Sequence, residues 1–199
     1  MRRRSDVVAR AIAAGLLMCG GVPALAAQAC GHFPGSGFDA SDMFHVQGRY
    51  VNAEYRYSVV LPQGLTAYAA PAPAPDHGVG IVLSWEPRSY LNVDGAYDVL
   101  DWKTPSGAAR QLLQWTRESS SRVLSHVQSR ARLGSLRSLR LVVRHRCASL
   151  PDVYVDDDVV AVDAKNGVVF KVALTTTDGR YRQDKAVMDQ LLSTWRALP

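Results

Sequence analysis

The segment Val168-Val-Phe-Lys-Val-Ala-Leu174 constrains the fold more than any other stretch of the chain. Apart from Lys171 it is apolar at odd and even positions alike, so as a strand it has no face to offer water and must lie centrally, covered on both sides. Asn166-Gly167 just ahead of it is the strongest short hairpin signal in the sequence, with Val159 to Ala164 as the partner strand. After Asp178-Gly179, Met188, Leu191, Leu192 and Trp195 fall on one helical stripe, which predicts a C-terminal amphipathic helix packed on the sheet.

Upstream, Thr104-Pro105 supplies an N-cap followed by proline in the first helical position, and Ala109, Leu112, Leu113 and Thr116 recur at helical spacing. A helix from about Pro105 to Ser120 follows, with Leu112 and Trp115 in the core. From Val51 to Leu61 apolar residues alternate with polar ones, the period of a half-buried strand ending at Pro62-Gln63-Gly64. Gly80 to Trp85 reads as a buried strand, with Tyr90 to Val93 as its neighbour. Ala70 to Pro75 is too proline-rich for sheet or helix and reads as an extended spacer. Runs of strands with few helices argue for α+β, a mainly antiparallel sheet packed with a mid-chain helix and a C-terminal helix.

Arg122 to Arg146 alternates on both sides of Gly134-Ser135. A two-residue turn would pair Arg132 with Arg137 and mix apolar and basic faces. A three-residue loop placing Leu133 opposite Arg137 keeps each face consistent, so a three-residue turn or a bulge near Gly134 is expected.

The N-terminus carries a three-part export signal: basic MRRRSDVVAR, apolar Ala11 to Met18, and small residues at Ala24 and Ala26. Its apolar run is well short of the roughly 20 residues that cross a bilayer. Cleavage after Ala26 would leave an irregular lead-in over 27–49 and one α+β domain over 50–199, in the periplasm or outside the cell. Removing Arg2, Arg3, Arg4, Arg10 and Asp6 lowers the formal net charge from +5 to +2. Global charge then gives no argument for nucleic acid or acidic lipid. Of the three cysteines, Cys30 and Cys147 survive cleavage and read as one disulfide in an oxidising compartment. In the chain-entropy picture, closing so long a loop stabilises by roughly 4 kcal/mol.

Hydrolase elbow, nucleotide loop, zinc-helix and Cys-x-x-Cys motifs are absent from the sequence, and no cofactor or metal is called for. The preferred hairpin register sends His126 and His145 to opposite faces, and His32, His45 and His77 sit in loop-like stretches. Asp156-Asp157-Asp158 reads as a solvated acidic edge rather than a calcium loop, whose spacing it lacks. The same acids could pair with the arginine-rich hairpin or block a sheet edge. Arg130, Arg132, Arg140, Arg144 and Arg146 fall largely on one sheet face in that register. They form either a solvated strand face or a patch for an acidic partner protein or polyanion, with arginine's bidentate fork suited to carboxylates. Aromatics are not interleaved with them, which argues against a single-stranded nucleic-acid platform.

The order of elements resembles the PsbP/Mog1-type α/β/α sandwich, also seen in bacterial DcrB-like domains. The residues that carry the likeness are Tyr57 to Gly64, Val168 to Thr175, Tyr181, and the helix ending Leu191 to Arg196. The resemblance implies a binding or assembly factor, since its members include photosystem subunits, a small-GTPase cofactor and bacterial accessory proteins, and it supplies no shared catalytic residue. The sequence is therefore read as an exported, non-enzymatic protein that engages another macromolecule, possessing no membrane anchor once the signal is removed. A hydrolase-like enzyme with a dispersed Asp/His site and a small-ligand carrier are the alternatives.

Overall fold

A computed structural model describes residues 44–69, 77–120, 122–147 and 150–199. The segment read as an export signal, Cys30, His32 and the proline-rich stretch at 70–75 lie outside the described residues. Eleven strands are formed among those described. They are β1 (Phe44–Val46), β2 (Arg49–Asn52), β3 (Tyr57–Val60), β4 (Ala67–Ala69), β5 (Gly78–Ser84), β6 (Ser89–Tyr97), β7 (Arg122–Leu133), β8 (Leu136–Arg146), β9 (Val153–Asp163), β10 (Val168–Thr177) and β11 (Arg196–Ala197). The helices are α1 (Pro105–Ser119) and α2 (Tyr181–Thr194).

The doubly apolar segment becomes β10, buried at every position and flanked by β6 and β9. Around it runs an eight-stranded antiparallel sheet in the order β1-β4-β5-β6-β10-β9-β8-β7. On one face α1 packs Ala108, Ala109, Leu112 and Leu113 against Leu141, Val143, Val160 and Val169. Thr104 caps this helix by accepting from Gly107 N, and Pro105 opens it. On the other face lie α2 and a small sheet, β11-β3-β2. There Met188, Leu191 and the fully buried Trp195 meet Tyr57, Val59, Leu133, Phe170 and Val172. The Trp195 ring stacks on Tyr57 at 6.0 Å and meets Phe170 edge-on at 5.1 Å. Truncating such a ring costs about 3–5 kcal/mol.

Three local expectations change. The alternating stretch 51–61 is not one strand but the β2–β3 hairpin: Asn52 Oδ1 accepts the Tyr55 N–H, and Arg56 takes φ +56°. Tyr50 and Asn52 face inward there, and Val51 outward. Phe44–Val46, inside the stretch read as irregular, pairs with β4, and His45 stands on that strand with its ring edge-on to Tyr68. The β9–β10 turn is longer than Asn166-Gly167 alone, because Asp163 pairs with Val168 and its carboxylate caps the amides of Lys165 and Asn166.

The β7–β8 register is also corrected. Arg132 pairs with Arg137 and Leu133 with Leu136, across a two-residue turn, and the irregularity lies between Val123 and Ser125 rather than near Gly134. Gly134, at the first turn position, has φ +57°, and a Cβ there would press on the Trp195 ring at 3.1 Å. This turn carries Leu133 fully into the core. Face consistency gave the wrong answer because from Leu124 to Arg130 β7 is exposed on both faces, so no core dictates its register.

Candidate functional site

With the two-residue turn in place, the five arginines divide. Arg130 stands opposite Leu139 and Arg132 opposite Arg137, on the α1 side of the sheet. Arg140, Arg144 and Arg146 alternate with Leu139, Leu141, Val143 and His145 and so face the α2 side. His126, opposite Val143, thereby shares a face with His145, contrary to the expected register. His126 is exposed and His145 sealed in the interior. Among the described residues no group of three or more His, Cys, Asp or Glu is placed to hold a metal ion.

The α2-side arginines are engaged within the domain, Arg146 through a bond from Nη1 to the Pro151 carbonyl at 3.4 Å. Arg140 grips the fully buried Asp157 bidentately, Nε at 2.7 Å and Nη2 at 2.6 Å, and donates from Nη1 to Asp189 at 3.0 Å. Burial pulls its pKa down, but the bonds and charges of Asp157 and then Asp189 raise it on balance. Tyr181 also donates to Asp157, at 2.8 Å, and Lys185 pairs with Asp189. Arg144 bonds Asp178 at 2.9 Å and lies 5.5 Å over the Tyr181 ring. A second buried carboxylate, Asp184, accepts from Ser89, Thr176 and Arg180. These contacts fasten α2 to the sheet. The acids of 156–158 are thus not a solvated edge; they lie inside β9, with Asp156 and Asp158 buried on the α1 face and Asp157 on the other.

Arg130 and Arg132 are left facing solvent. Among the described residues no carboxylate lies within ion-pair distance of Arg122, Arg130, Arg132 or Arg137. Arg132 makes one contact, from Nη2 to the Ser135 carbonyl at 3.0 Å. On the opposite face β7 presents Val127, 60% exposed, and the half-buried Ala131. Because β7 ends the strand order, one of its backbone edges is unpaired among the described residues.

The α1 side contains a chain that no local sequence signal announces. Ser120 Oγ lies 2.8 Å from His145 Nδ1, and His145 Nε2 lies 2.9 Å from Asp156 Oδ2. Thr175 steadies Asp156 with a 2.9 Å bond. The residue types are those of a serine nucleophile, a base and its orienting acid. The setting opposes that chemistry. His145 has no exposed surface. Ser120 caps the C-terminus of α1, where the helix dipole repels a developing oxyanion. Its own amide is already given to the Thr116 carbonyl. The chain ties the end of α1 to β8 and β9.

Cavities lined by described residues border the domain. A cleft of about 490 Å³ opens between the Gln47-Gly48 turn, the loop after β3, and Gln190 and Thr194 of α2. A smaller one of about 80 Å³ has Val99, Leu100, Tyr97 and Trp102 for walls and Asp94 and Lys171 within it.

Solved structures share this architecture. Cyanobacterial PsbP from Synechocystis sp. PCC 6803 aligns over 84% of this chain and 98% of its own, with TM-score 0.52 and 15% identity. The Ran-binding protein Mog1p of Saccharomyces cerevisiae aligns over 78% and 96%, with TM-score 0.50 and 10% identity. This is the PsbP/Mog1-type fold. No protein-family model and no curated protein sequence matches the chain. At these identities the PsbP/Mog1-type likeness is one of fold alone and gives no residue here a role, so the candidate site rests on the geometry of β7 and β8.

Proposed function

We propose that the chain is an exported, non-enzymatic accessory protein whose mature domain begins near Ala27, is tethered by a Cys30–Cys147 bond, and engages an acidic partner protein through β7. The observation that carries this reading is the pair Arg130 and Arg132, exposed on an edge strand with no carboxylate of their own among the described residues. A domain that neutralises Arg140 and Arg144 internally yet leaves these two open has kept charge where a partner can reach it. That PsbP/Mog1-type structures include a protein described as Ran-binding is in keeping with a binding role. The arginines with internal partners, Arg140 and Arg144, hold the platform, and Arg130 and Arg132 face outward from it.

The test is site-specific photocrosslinking in the native compartment from the exposed Gln128 position. A discrete protein adduct should form and should disappear in the Arg130→Glu/Arg132→Glu double variant. An adduct that survives charge reversal refutes the reading.

A further inference from the structure

The β7 edge also specifies how a partner would sit on it. Leu133 and Leu136 close a two-residue hairpin and so exchange hydrogen bonds. Antiparallel ladders alternate, so Ala131, Ser129 and Val127 also bond to β8, at Ser138, Arg140 and Val142. Arg132, Arg130, Gln128 and His126 occupy the intervening pairs, and their N–H and C=O groups point away from β8 to the open edge. The residues whose backbone is free are therefore those whose side chains are basic or polar. The irregularity between Val123 and Ser125 stops short of this run, leaving 126–132 regular.

From this alternation we infer that β7 accepts an extended segment of the acidic partner as an additional antiparallel strand, with carboxylates at alternate positions facing Arg132 and Arg130 and small or apolar residues between them. A residue directly opposite Arg130 in the added strand would share its hydrogen-bonded pair and its sheet face, within reach of the guanidinium. The intervening residues would fall on the face of Val127 and Ala131, which suits small apolar side chains. A second copy of β7 fits worse, since it would bring the arginine and histidine side chains of two identical strands onto one face. Edge charges commonly keep strands apart. Here they lie on one face only, so they repel basic strands and admit acidic ones.

The inference rests on the proposed docking to β7, and the two can fail separately. The probe is a labelled peptide, Glu-Ala-Glu-Ser-Gln-Val-Glu, titrated into the mature protein by fluorescence anisotropy. In the antiparallel register its first two glutamates face Arg132 and Arg130. N-methylation of the second glutamate, whose amide would face β7, should weaken binding about tenfold or more, whereas N-methylation of the neighbouring alanine, whose amide would face away, should change it less than about threefold. Arg130→Glu/Arg132→Glu should weaken it at least as much. Equal effects of the two N-methyl groups, with charge reversal still disruptive, would overturn strand addition and leave the acidic docking standing. Binding indifferent to charge reversal would overturn both. A dimer that Gln128→Pro dissociates would assign the edge to a second copy and overturn the inference.

Discussion

Asp158 offers a direct measure of what it takes to seat an acid triplet inside a sheet. Its carboxyl is pushed up to about 7 by burial, with the charges of Asp156, Asp157 and Asp94 adding to the shift and Lys171 opposing it. In the unfolded chain an aspartate titrates near its ordinary ~4. Between these values the folded protein binds a proton that the unfolded chain has released, so stability declines as pH rises. The contribution is complete below about pH 4 and is lost as pH climbs through 7. Three pH units at about 1.4 kcal/mol each amount to about 4 kcal/mol. Asp158→Asn cannot ionise, so its stability relative to the parent should rise from near zero at pH 4 to about 4 kcal/mol at pH 8. Urea unfolding followed by tryptophan fluorescence at unit pH steps reads this difference from the midpoints. A difference that stays flat from pH 4 to 8, or an asparagine variant less stable than the parent at pH 8, refutes the reasoning.

Removing the Arg140 guanidinium (Arg140→Ala) strands Asp157 in the interior and should cost about 3 kcal/mol, visible as a lowered urea midpoint; Arg130→Ala, at an exposed position, should move it by less than about 0.5 kcal/mol. Ser120→Ala breaks one bond to His145 and should cost about 1 kcal/mol, and a fluorophosphonate probe should leave Ser120 unlabelled; stoichiometric labelling would restore the hydrolase alternative. Mass spectrometry of the oxidised mature protein should find Cys30 and Cys147 in one linked peptide pair, and Cys30→Ser should lower thermal stability by roughly 4 kcal/mol. Two alkylatable thiols would remove the tether.

The sequence reveals the elements whose burial pattern is set locally. β10 is apolar on both faces because it is central, α1 announces itself through Thr104 and Pro105, and α2 through the stripe ending at Trp195. What stays hidden depends on partners distant in sequence. Asp157 reads as a surface acid until Arg140 and Tyr181 are brought to it, and Ser120, His145 and Asp156 come together only when α1 lies on β8 and β9. The β2–β3 turn was masked because alternation continues through it while the backbone reverses at Arg56. For the docking strand, the charges of Arg130 and Arg132 are legible. The open edge is not, because strand order belongs to the whole sheet.

The position of Trp195 bears on how such a chain can be delivered. The last strand, β11, pairs Arg196 and Ala197 with Ser58 and Tyr57, Leu198 donates to the Arg56 carbonyl, and Trp195 fills the space between Tyr57, Phe170 and the Gly134 turn. The β2–β3 hairpin therefore waits for Trp195, far downstream, before its core closes. A polypeptide emerging from the ribosome lacks that keystone until Trp195 has been synthesised. Vectorial synthesis thus delays closure of this core until Trp195 has emerged, and a chain slow to close is one that can still be threaded through a narrow pore.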